Sequence, residues 1–200
     1  MKPLRWASGL KSGLARGIFP HELSFFLDLP WRNVCLSPRK LAGRLGLEET
    51  SRVLEVGCGP GFYSAEVARR VPRGRLELLD LQPEMLAKAR RKLEAKGLGA
   101  NVGYTTADAR GLPFESESFD VLFLVAVLGE VSDRKAFLGE ARRILKHGGV
   151  LSVSEHLPDP DFSSFAKVRG LIETEGFRCF ERRGPAWCYT ANFRKSGPTP

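Results

Sequence analysis

A glycine-rich segment at residues 53–61, VLEVGCGPG, carries the clearest chemical signal in the sequence. A β-type run leads into Gly57, Gly59 and Gly61, and a helical pattern follows. Glycines at such a turn permit positive φ angles and let a ligand approach the backbone. A tight turn without a ligand would use the same residues, but Glu55 and acids further along the chain favour a binding site.

Two phosphate-binding motifs do not fit this segment. The dinucleotide fingerprint G-x-G-x-x-G/A needs a small residue where this chain has Phe62, whose ring would obstruct close packing of helix against strand. A P-loop needs a Lys followed by Ser or Thr, and the loop has no such pair. The sequence therefore disfavours a pyrophosphate ligand and excludes a P-loop.

Polar side chains also stand where further strands are predicted to end. Asp80 follows Gly57 by 23 residues, at the end of the second predicted strand, where a carboxylate can accept hydrogen bonds from both ribose hydroxyls. Capping of the helix that begins near Pro83 is the alternative role for Asp80. Glu155 and His156 follow the fifth strand, where they are placed for acid–base chemistry or else form an exposed loop pair.

The elements that must position these residues alternate between strands and helices. Strands are predicted at residues 52–56, 75–79, 101–105, 119–125, 150–154, 177–183 and 187–194. Helices are predicted from Ser37-Pro38 onward and at residues 62–70, 82–96, 133–145 and 163–175, with His147-Gly148-Gly149 ending the fourth. Because parallel neighbours need a crossover, this alternation predicts five parallel strands in a doubly wound α/β sheet. The last two strands are joined by a turn at Gly184-Pro185 and must therefore pair antiparallel.

The composition is that of a globular protein, with 42% hydrophobic and 27% charged residues among 200. The longest apolar run, residues 121–128, is too short to cross a bilayer as a helix. The net charge of +8 is spread along most of the chain, so we do not expect a nucleic-acid partner. Four cysteines without a C-x-x-C pair and three scattered histidines predict no metal site and reduced thiols in the cytoplasm. An Arg-rich, acid-poor N-terminus leaves a mitochondrial transit peptide as the alternative.

Several segments resemble, in order, the motifs of a known family. VLEVGCGPG resembles the first motif, LLDLQPEML the second, TADARGLPFESESFDVLF the third and fourth, and RILKHGGVLSVSE the segment through strand five. Over residues 38–195 the chain resembles the class I S-adenosylmethionine-dependent methyltransferases, most of all the small-molecule branch with the ubiquinone and menaquinone C-methyltransferases. The resemblance implies a Rossmann-like, seven-stranded sheet of order 3-2-1-4-5-7-6 with strand 7 antiparallel.

The resemblance also implies S-adenosylmethionine as cofactor and S-adenosylhomocysteine as product. In such enzymes Glu55 would lie near the methionine amino group, Asp80 at the ribose and Asp108 at the adenine amino group. The residues expected to bind the cofactor are Glu55, Gly57, Cys58, Gly59, Gly61, Tyr63, Asp80, Leu81, Met85, Asp108, Ala109 and Val125. A turn at Asp108 and ordinary helix packing by Leu81, Met85 and Tyr63 are the alternatives. Asp120 is expected to be structural.

The methyl acceptor is expected to meet the loops after strands four and five, with Glu130 and His156 as catalytic residues. Relatives often carry a polar residue near Leu124 and histidines near Gly129, and this chain has neither. The Asn-Pro-Pro-Tyr type of motif found in many amino methyltransferases of nucleic acids is also missing from the sequence. We expect in-line transfer to a small apolar or aromatic acceptor. An RNA or protein methyltransferase and a non-catalytic S-adenosylmethionine-binding protein are the alternatives.

The chain is predicted to divide into an N-terminal extension (1–37), a methyltransferase domain (38–195) and a flexible tail (196–200). Residues 17–38 are expected to form a lid over the acceptor pocket, because the loops after strands four and five are short and water must be kept from the sulfonium. Phe25, Phe26 and Trp31 would supply an apolar wall, or would cover the side of the sheet as an extra helix. The sequence allows peripheral contact with a membrane and does not indicate an oligomeric state.

Overall fold

The computed structural model describes residues 35–196, and all elements named below lie in that range. The strands are β1 (Arg52–Val56), β2 (Arg75–Asp80), β3 (Val102–Thr106), β4 (Phe119–Val125), β5 (Leu145–His156), β6 (Phe177–Arg183) and β7 (Cys188–Lys195). The helices are α1 (Pro38–Ala42), α2 (Ser64–Arg70), α3 (Pro83–Glu94), α4 (Arg134–Ile144) and α5 (Phe165–Thr174). Most of the predicted lid, up to residue 34, lies outside the described residues.

All seven strands join one sheet in the order β3-β2-β1-β4-β5-β7-β6. The first five are parallel to one another, and β7 is antiparallel to both of its neighbours, β5 and β6. The predicted strand order and the antiparallel strand 7 are therefore confirmed. The central position of β4 agrees with its nearly continuous apolar sequence, which suits a strand buried on both faces.

Helices cover both faces of the sheet and enclose two apolar clusters. Helices α1, α2 and α3 pack on one face, around residues such as Leu41, Val67 and Leu93. Helices α4 and α5 pack on the other face, around residues such as Phe137 and Ile172. The two layers hold the strand ends in fixed relative positions. Within residues 35–196, no helix is both long and apolar enough to cross a membrane.

The predicted boundaries of the strands and of helices α2 to α5 agree with the structure to within two residues, except at the start of β5. The predicted helix end at residue 145 is confirmed to within one residue, but the predicted start of the next strand at residue 150 was wrong. Helix α4 already ends at Ile144, and β5 begins at Leu145, which pairs with Phe119. Gly148 lies inside β5 with a φ of +75°, a backbone conformation that glycine adopts readily. Glycine at this position therefore allows the strand to continue through an irregularity.

Candidate active site

The carboxyl ends of the parallel strands surround a cavity of about 670 Å³. The final residues of β1, β2, β4 and β5, namely Val56, Asp80, Val125 and His156, all line it. This is the edge of a parallel sheet at which ligands generally bind. All the residues predicted to bind the cofactor, and the predicted catalytic residues Glu130 and His156, line this one cavity, with the exception of Gly61.

The glycine-rich loop lies against β2 and against the loop that follows β4. The backbone N–H groups of Gly57 and Cys58 both donate to the carbonyl oxygen of Leu79, at 2.8 and 3.2 Å. Gly57 has a φ of +67°, and a Cβ there would lie only 2.6 Å from Cγ2 of Val127. The sequence needs glycine at this position because both the backbone conformation and the close approach exclude a side chain.

Gly61 is the predicted site residue that lies outside the cavity wall. A Cβ on Gly61 would come within 3.0 Å of the Cβ of Ala89 on α3. The absence of a side chain therefore lets the start of α2 pack closely on α3. The structure gives Gly61 a packing role behind the loop.

Asp80 ties the glycine loop to the loop after β2. Its Oδ2 atom accepts a hydrogen bond from the Gly59 N–H at 2.9 Å, and its Oδ1 atom accepts one from the Gln82 N–H, also at 2.9 Å. The residue is only 8% exposed. Burial raises the pKa of Asp80, and the backbone N–H groups of Gln82 and Gly59 oppose that increase. Leu81 and Met85 line the cavity beside this carboxylate.

Glu55 adds a second buried carboxylate to the cavity wall. Its Oε2 atom accepts a hydrogen bond at 2.6 Å from the hydroxyl of Ser64, the first residue of α2.

Burial, together with the charges of Glu55 and Asp80, raises the pKa of the Cys58 thiol well above its ordinary value. Cys58 therefore remains a neutral thiol and offers no nucleophile to the cavity.

Asp108 and Ala109 line the cavity just after β3, with a neighbour that sequence reasoning did not use. The Arg110 guanidinium binds both carboxylate oxygens of Asp108, with Nη2 2.7 Å from Oδ2 and Nε 3.0 Å from Oδ1. The side-chain hydrogen bond from Arg110, with a further bond from its backbone N–H, lowers the pKa of Asp108. Asp108 is therefore held ionised at the cavity rim.

Glu130, in the loop after β4, and His156, at the end of β5, line the same cavity. The Glu130 N–H donates to the Val127 carbonyl at 3.0 Å, in a turn that holds this loop over the strand ends. His156 is the last residue of β5, is buried, and pairs with Cys188 of β7. Both predicted catalytic residues thus line the cavity, and we call the part of it beside the ends of the neighbouring strands β4 and β5 the acceptor end, because the acceptor was predicted there.

Glu155 does not line the cavity with His156, and because both residues are buried they do not form the exposed loop pair that was the alternative. Successive side chains in a strand point to opposite faces, and Glu155 lies outside the cavity lining, across from Tyr189 of β7. Its Oε2 atom accepts a long hydrogen bond, 3.4 Å, from the Ser163 N–H, while the Tyr189 hydroxyl donates to the Ser163 carbonyl at 2.7 Å. Burial raises the pKa of Glu155 to about 7.

Asp120 lies apart from the cavity, as predicted. Its Oδ2 atom accepts a hydrogen bond from the Arg52 N–H at 2.8 Å, and its Oδ1 atom binds Lys146 Nζ at 2.7 Å. These contacts join the amino-terminal ends of β1, β4 and β5, opposite the site.

Several cavity residues were not found from the sequence. Phe62, Arg110, Val127, Ser132 and Asp159 all line the cavity, mostly from the loops that follow the strands. Their positions after predicted strand ends were the only signal available. Within residues 35–196, no group of three or more His, Cys, Asp or Glu side chains could hold a metal ion.

The arrangement defines the kind of ligand that the cavity can accept. Carboxylates from Glu55, Asp80 and Asp108 line the cavity next to a glycine loop without a basic side chain, and the guanidinium of Arg110 is bound to Asp108. Carboxylates accept hydrogen bonds from hydroxyl and amino groups and attract positive charge, whereas a phosphate would need cationic or N–H donors. The cavity therefore suits a nucleoside that carries positive charge.

Comparisons with known proteins agree with this arrangement. Residues 53–149 match the family described as "Methyltransferase domain". The chain is 37% identical over 139 residues to the demethylmenaquinone methyltransferase of Thermus thermophilus, covering 69% of this chain and 59% of that protein. It is 30% identical over 167 residues to the ubiquinone/menaquinone biosynthesis C-methyltransferase UbiE of Shewanella halifaxensis, covering 80% of this chain and 66% of that protein. The chain thus spans about three fifths to two thirds of the length of these two relatives.

Solved structures share the fold. A SAM-dependent methyltransferase from Aquifex aeolicus superposes with a TM-score of 0.82 at 26% identity, over 88% of this chain and 99% of that one. The [4+2]-cyclase SpnF superposes with a TM-score of 0.70 at 18% identity, over 80% of each chain. The second similarity concerns the fold alone.

Proposed function

This chain belongs to the class I S-adenosylmethionine-dependent methyltransferases, and we propose that it transfers the methyl group of that cofactor to a small apolar or aromatic acceptor. The observation that carries the proposal is the convergence of Glu55, Asp80 and Asp108 on one cavity beside the glycine loop. A quinol-like ring is the acceptor class that we favour, because the two curated relatives are named for menaquinone and ubiquinone biosynthesis.

The residues present fit the cofactor. Asp80 accepts hydrogen bonds from the N–H groups of Gly59 and Gln82, and a carboxylate has about four lone-pair sites, so Asp80 can also accept from ribose hydroxyls. Asp108, ionised beside Arg110, would accept a hydrogen bond from the adenine amino group. Glu55 would attract the methionine ammonium.

The chain's own contribution to the reaction is alignment and the exclusion of water. When bound, S-adenosylmethionine supplies a methyl group on a positively charged sulfur. Val127, Val131 and Pro158 give the acceptor end apolar walls that hold a ring and displace water. His156 or Glu130 would accept a proton from an acceptor hydroxyl if the ring must ionise first.

An assay with labelled methyl donor tests the proposal. The purified full chain should label a reduced quinone or a phenol, and label neither oxidised quinone nor RNA. Labelling of RNA that falls steeply with salt would instead indicate the RNA methyltransferase alternative. Binding of S-adenosylhomocysteine without transfer to any acceptor would indicate the non-catalytic alternative.

The acceptor end can be tested by substitution. His156→Ala and Glu130→Gln should each lower the transfer rate, by roughly 10²–10⁴-fold for the residue that accepts the proton, with S-adenosylhomocysteine affinity unchanged. His147→Ala is the matched control, because His147 is an exposed residue in the amino-terminal part of the same strand. Full activity in both acceptor-end variants would remove these residues from the reaction.

A further inference from the structure

The loop between β5 and α5 forms part of the wall of the acceptor end. Residues 157–163, which we call the acceptor loop, include Pro158, Asp159 and Pro160, and all three of these line the cavity. The Asp159 N–H donates to the His156 carbonyl at 3.2 Å, which ties the start of the loop to the end of β5. The path of the acceptor loop therefore sets where this wall lies.

The middle of the acceptor loop packs on the loop after β4. A Cβ on Gly129 would collide with the Cβ and the carbonyl oxygen of Asp161. The guanidinium of Arg134, the first residue of α4, holds the loop after β4 in turn, because it donates to the carbonyls of Leu128 and Gly129 at 2.9 Å each. The two loops that border the acceptor end are thus packed tightly against each other.

The far end of the acceptor loop is held by two residues of the sheet. The Tyr189 hydroxyl donates to the Ser163 carbonyl at 2.7 Å, and Glu155 Oε2 accepts from the Ser163 N–H at 3.4 Å. Tyr189 of β7 and Glu155 of β5 are paired across the sheet, and both are fully buried. Because its hydrogen bond is much the shorter of the two, Tyr189 holds this end of the loop more strongly.

The surroundings of Tyr189 fix the direction of its hydroxyl. The rings of Phe162, in the acceptor loop, and Phe165, the first residue of α5, pack edge-on against the Tyr189 ring, with centroid distances of 6.2 and 5.8 Å. The Arg182 guanidinium lies 5.8 Å from the centroid of the same ring. Burial, with the charge of Glu155, raises the pKa of Tyr189, so its hydroxyl stays protonated and remains a donor.

We propose that Tyr189 is a positioning residue for the methyl acceptor, acting through the Ser163 carbonyl on the acceptor loop. Tyr189 lies outside the cavity lining, so its effect on a ligand must pass through the loop. A ligand that binds only the anchored loop loses apparent affinity in proportion to the fraction of molecules in which the loop is anchored. The effect on an acceptor rests on the proposed function, whereas the anchoring of the loop can be measured without methyl transfer.

Tyr189→Phe tests the proposal, because it removes the hydroxyl and keeps the ring. The KM for the reduced quinone or phenol that the unchanged chain methylates should rise by roughly 3- to 10-fold, as expected for one lost hydrogen bond. The kcat at saturating acceptor should stay within about twofold, since only binding is affected. Calorimetry should show an unchanged affinity for S-adenosylhomocysteine.

Two control variants separate positioning from a general loss of stability. Tyr104→Phe also removes a tyrosine hydroxyl, but from β3, at the far edge of the sheet and outside the cavity lining. Ile144→Val removes a buried methyl group at the end of α4, next to the amino-terminal end of β5, and lowers stability there. Neither variant should change the KM for the acceptor.

Hydrogen–deuterium exchange measures the anchoring directly. The N–H groups of Asp159, Phe162 and Ser163 all donate within the acceptor loop or to β5. Peptides that cover residues 157–164 should therefore exchange about 3- to 10-fold faster in Tyr189→Phe than in the unchanged chain. Peptides that cover the glycine loop at residues 53–61 should exchange at the same rate in both.

Several results would overturn the proposal. They are an unchanged KM for the acceptor in Tyr189→Phe, a loss of donor affinity as large as the rise in KM, or equal exchange of residues 157–164 in the variant and the unchanged chain. If Tyr189→Phe accelerates that exchange but the unchanged chain binds S-adenosylhomocysteine and methylates no small acceptor, the anchoring is confirmed and the proposed function is contradicted.

Discussion

One carboxylate at the end of β2 holds two loops and still faces the cavity. Asp80 accepts N–H groups from Gly59 and Gln82, so its side chain is fixed before any ligand arrives. A fixed acceptor loses little conformational entropy on binding, which favours affinity. The same contacts mean that replacing Asp80 also loosens the glycine loop.

Asp80→Ala should therefore weaken the binding of S-adenosylhomocysteine. Charge-assisted hydrogen bonds worth roughly 1.5–3 kcal/mol correspond to about a 10- to 150-fold loss of affinity. Calorimetry checks the value, and Asp120→Ala is the control, because that carboxylate makes similar contacts at the opposite end of the strands. Equal affinities in the two variants would remove Asp80 from the donor site.

Glu155 makes stability depend on pH in an identifiable window. Its pKa rises from 4.5 to about 7 in the folded protein, chiefly through burial. The folded state therefore holds this proton more tightly than the unfolded state. Stability from this group is fully present below pH 4.5 and is lost as the pH rises through 7.

Glu155→Gln should remove the loss of folding stability that Glu155 causes as the pH rises. Relative to the unchanged protein, the free energy of unfolding of the variant should rise between pH 5 and 8, by at most roughly 3 kcal/mol. Urea unfolding at several pH values measures the difference. Glu94→Gln, on the exposed side of α3, should reproduce the unchanged protein's pH dependence. Parallel curves for Glu155→Gln and the unchanged protein would contradict the assignment.

At the scale of elements, the glycine loop and the loop after β4 depend on each other. A Cβ at Gly57 would collide with the side chain of Val127, so Gly57→Ala should destabilise the protein by about 1–3 kcal/mol through overpacking. Val127→Ala in the same chain should recover about 1–2 kcal/mol of that loss. The positive φ at Gly57 would remain unfavourable for alanine.

A control glycine, Gly46, distinguishes contact with Val127 from the positive φ as the cause of destabilisation. Gly46 also has a positive φ, +64°, but a Cβ there would meet nothing within 4 Å. Gly46→Ala should cost about 1–2 kcal/mol from its backbone conformation alone, with no dependence on Val127. Urea unfolding measures how much Val127→Ala changes the stability of each glycine variant. If the change is the same in Gly57→Ala and Gly46→Ala, contact with Val127 is not the cause of the destabilisation at Gly57.

The elements themselves were predictable because their signals are local. A few adjacent residues determine each of these features: the strand ends, the helix start at Ser37-Pro38 and the terminal hairpin. The start of β5 was missed because the pairing of Leu145 with Phe119 extends the strand through two glycines that locally indicate a stop. The packing of Gly57 on Val127 joins residues far apart in the sequence, and no local pattern encodes it.

The cavity-lining residues could be predicted from the sequence where they stand at strand ends, because strand ends have local sequence signals. Asp80 and His156 end strands whose carboxyl ends meet at one edge, so topology alone brings them together. The alternation of side chains along a strand separates Glu155 from His156, and the sequence analysis, which left the role of the pair open, did not use it. The ion pair between Arg110 and Asp108 depends on side-chain rotamers, which the sequence does not specify.

At the scale of the whole molecule, ligand binding should raise thermal stability. S-adenosylhomocysteine at 100 times its dissociation constant should stabilise the fold by about 2.7 kcal/mol. For a chain of this size that corresponds to an increase in Tm of roughly 5–10 °C. NAD at the same concentration should leave the Tm unchanged, since the glycine loop lacks the dinucleotide fingerprint. An equal increase with NAD would contradict the choice of donor.

The position of β7 has a consequence for the order in which the protein assembles during synthesis. Strand β6 leaves the ribosome before β7, yet β7 is its only neighbour in the sheet. The parallel strands β1 to β5 can pair as they emerge, whereas β6 has no partner until residues 188–195 appear. A nascent chain that stops before Cys188 thus holds a complete donor half beside an open β5 edge, a ready template for pairing with another chain. The edge of the sheet beside β5, whose last residue His156 lines the cavity, is therefore the last to be covered.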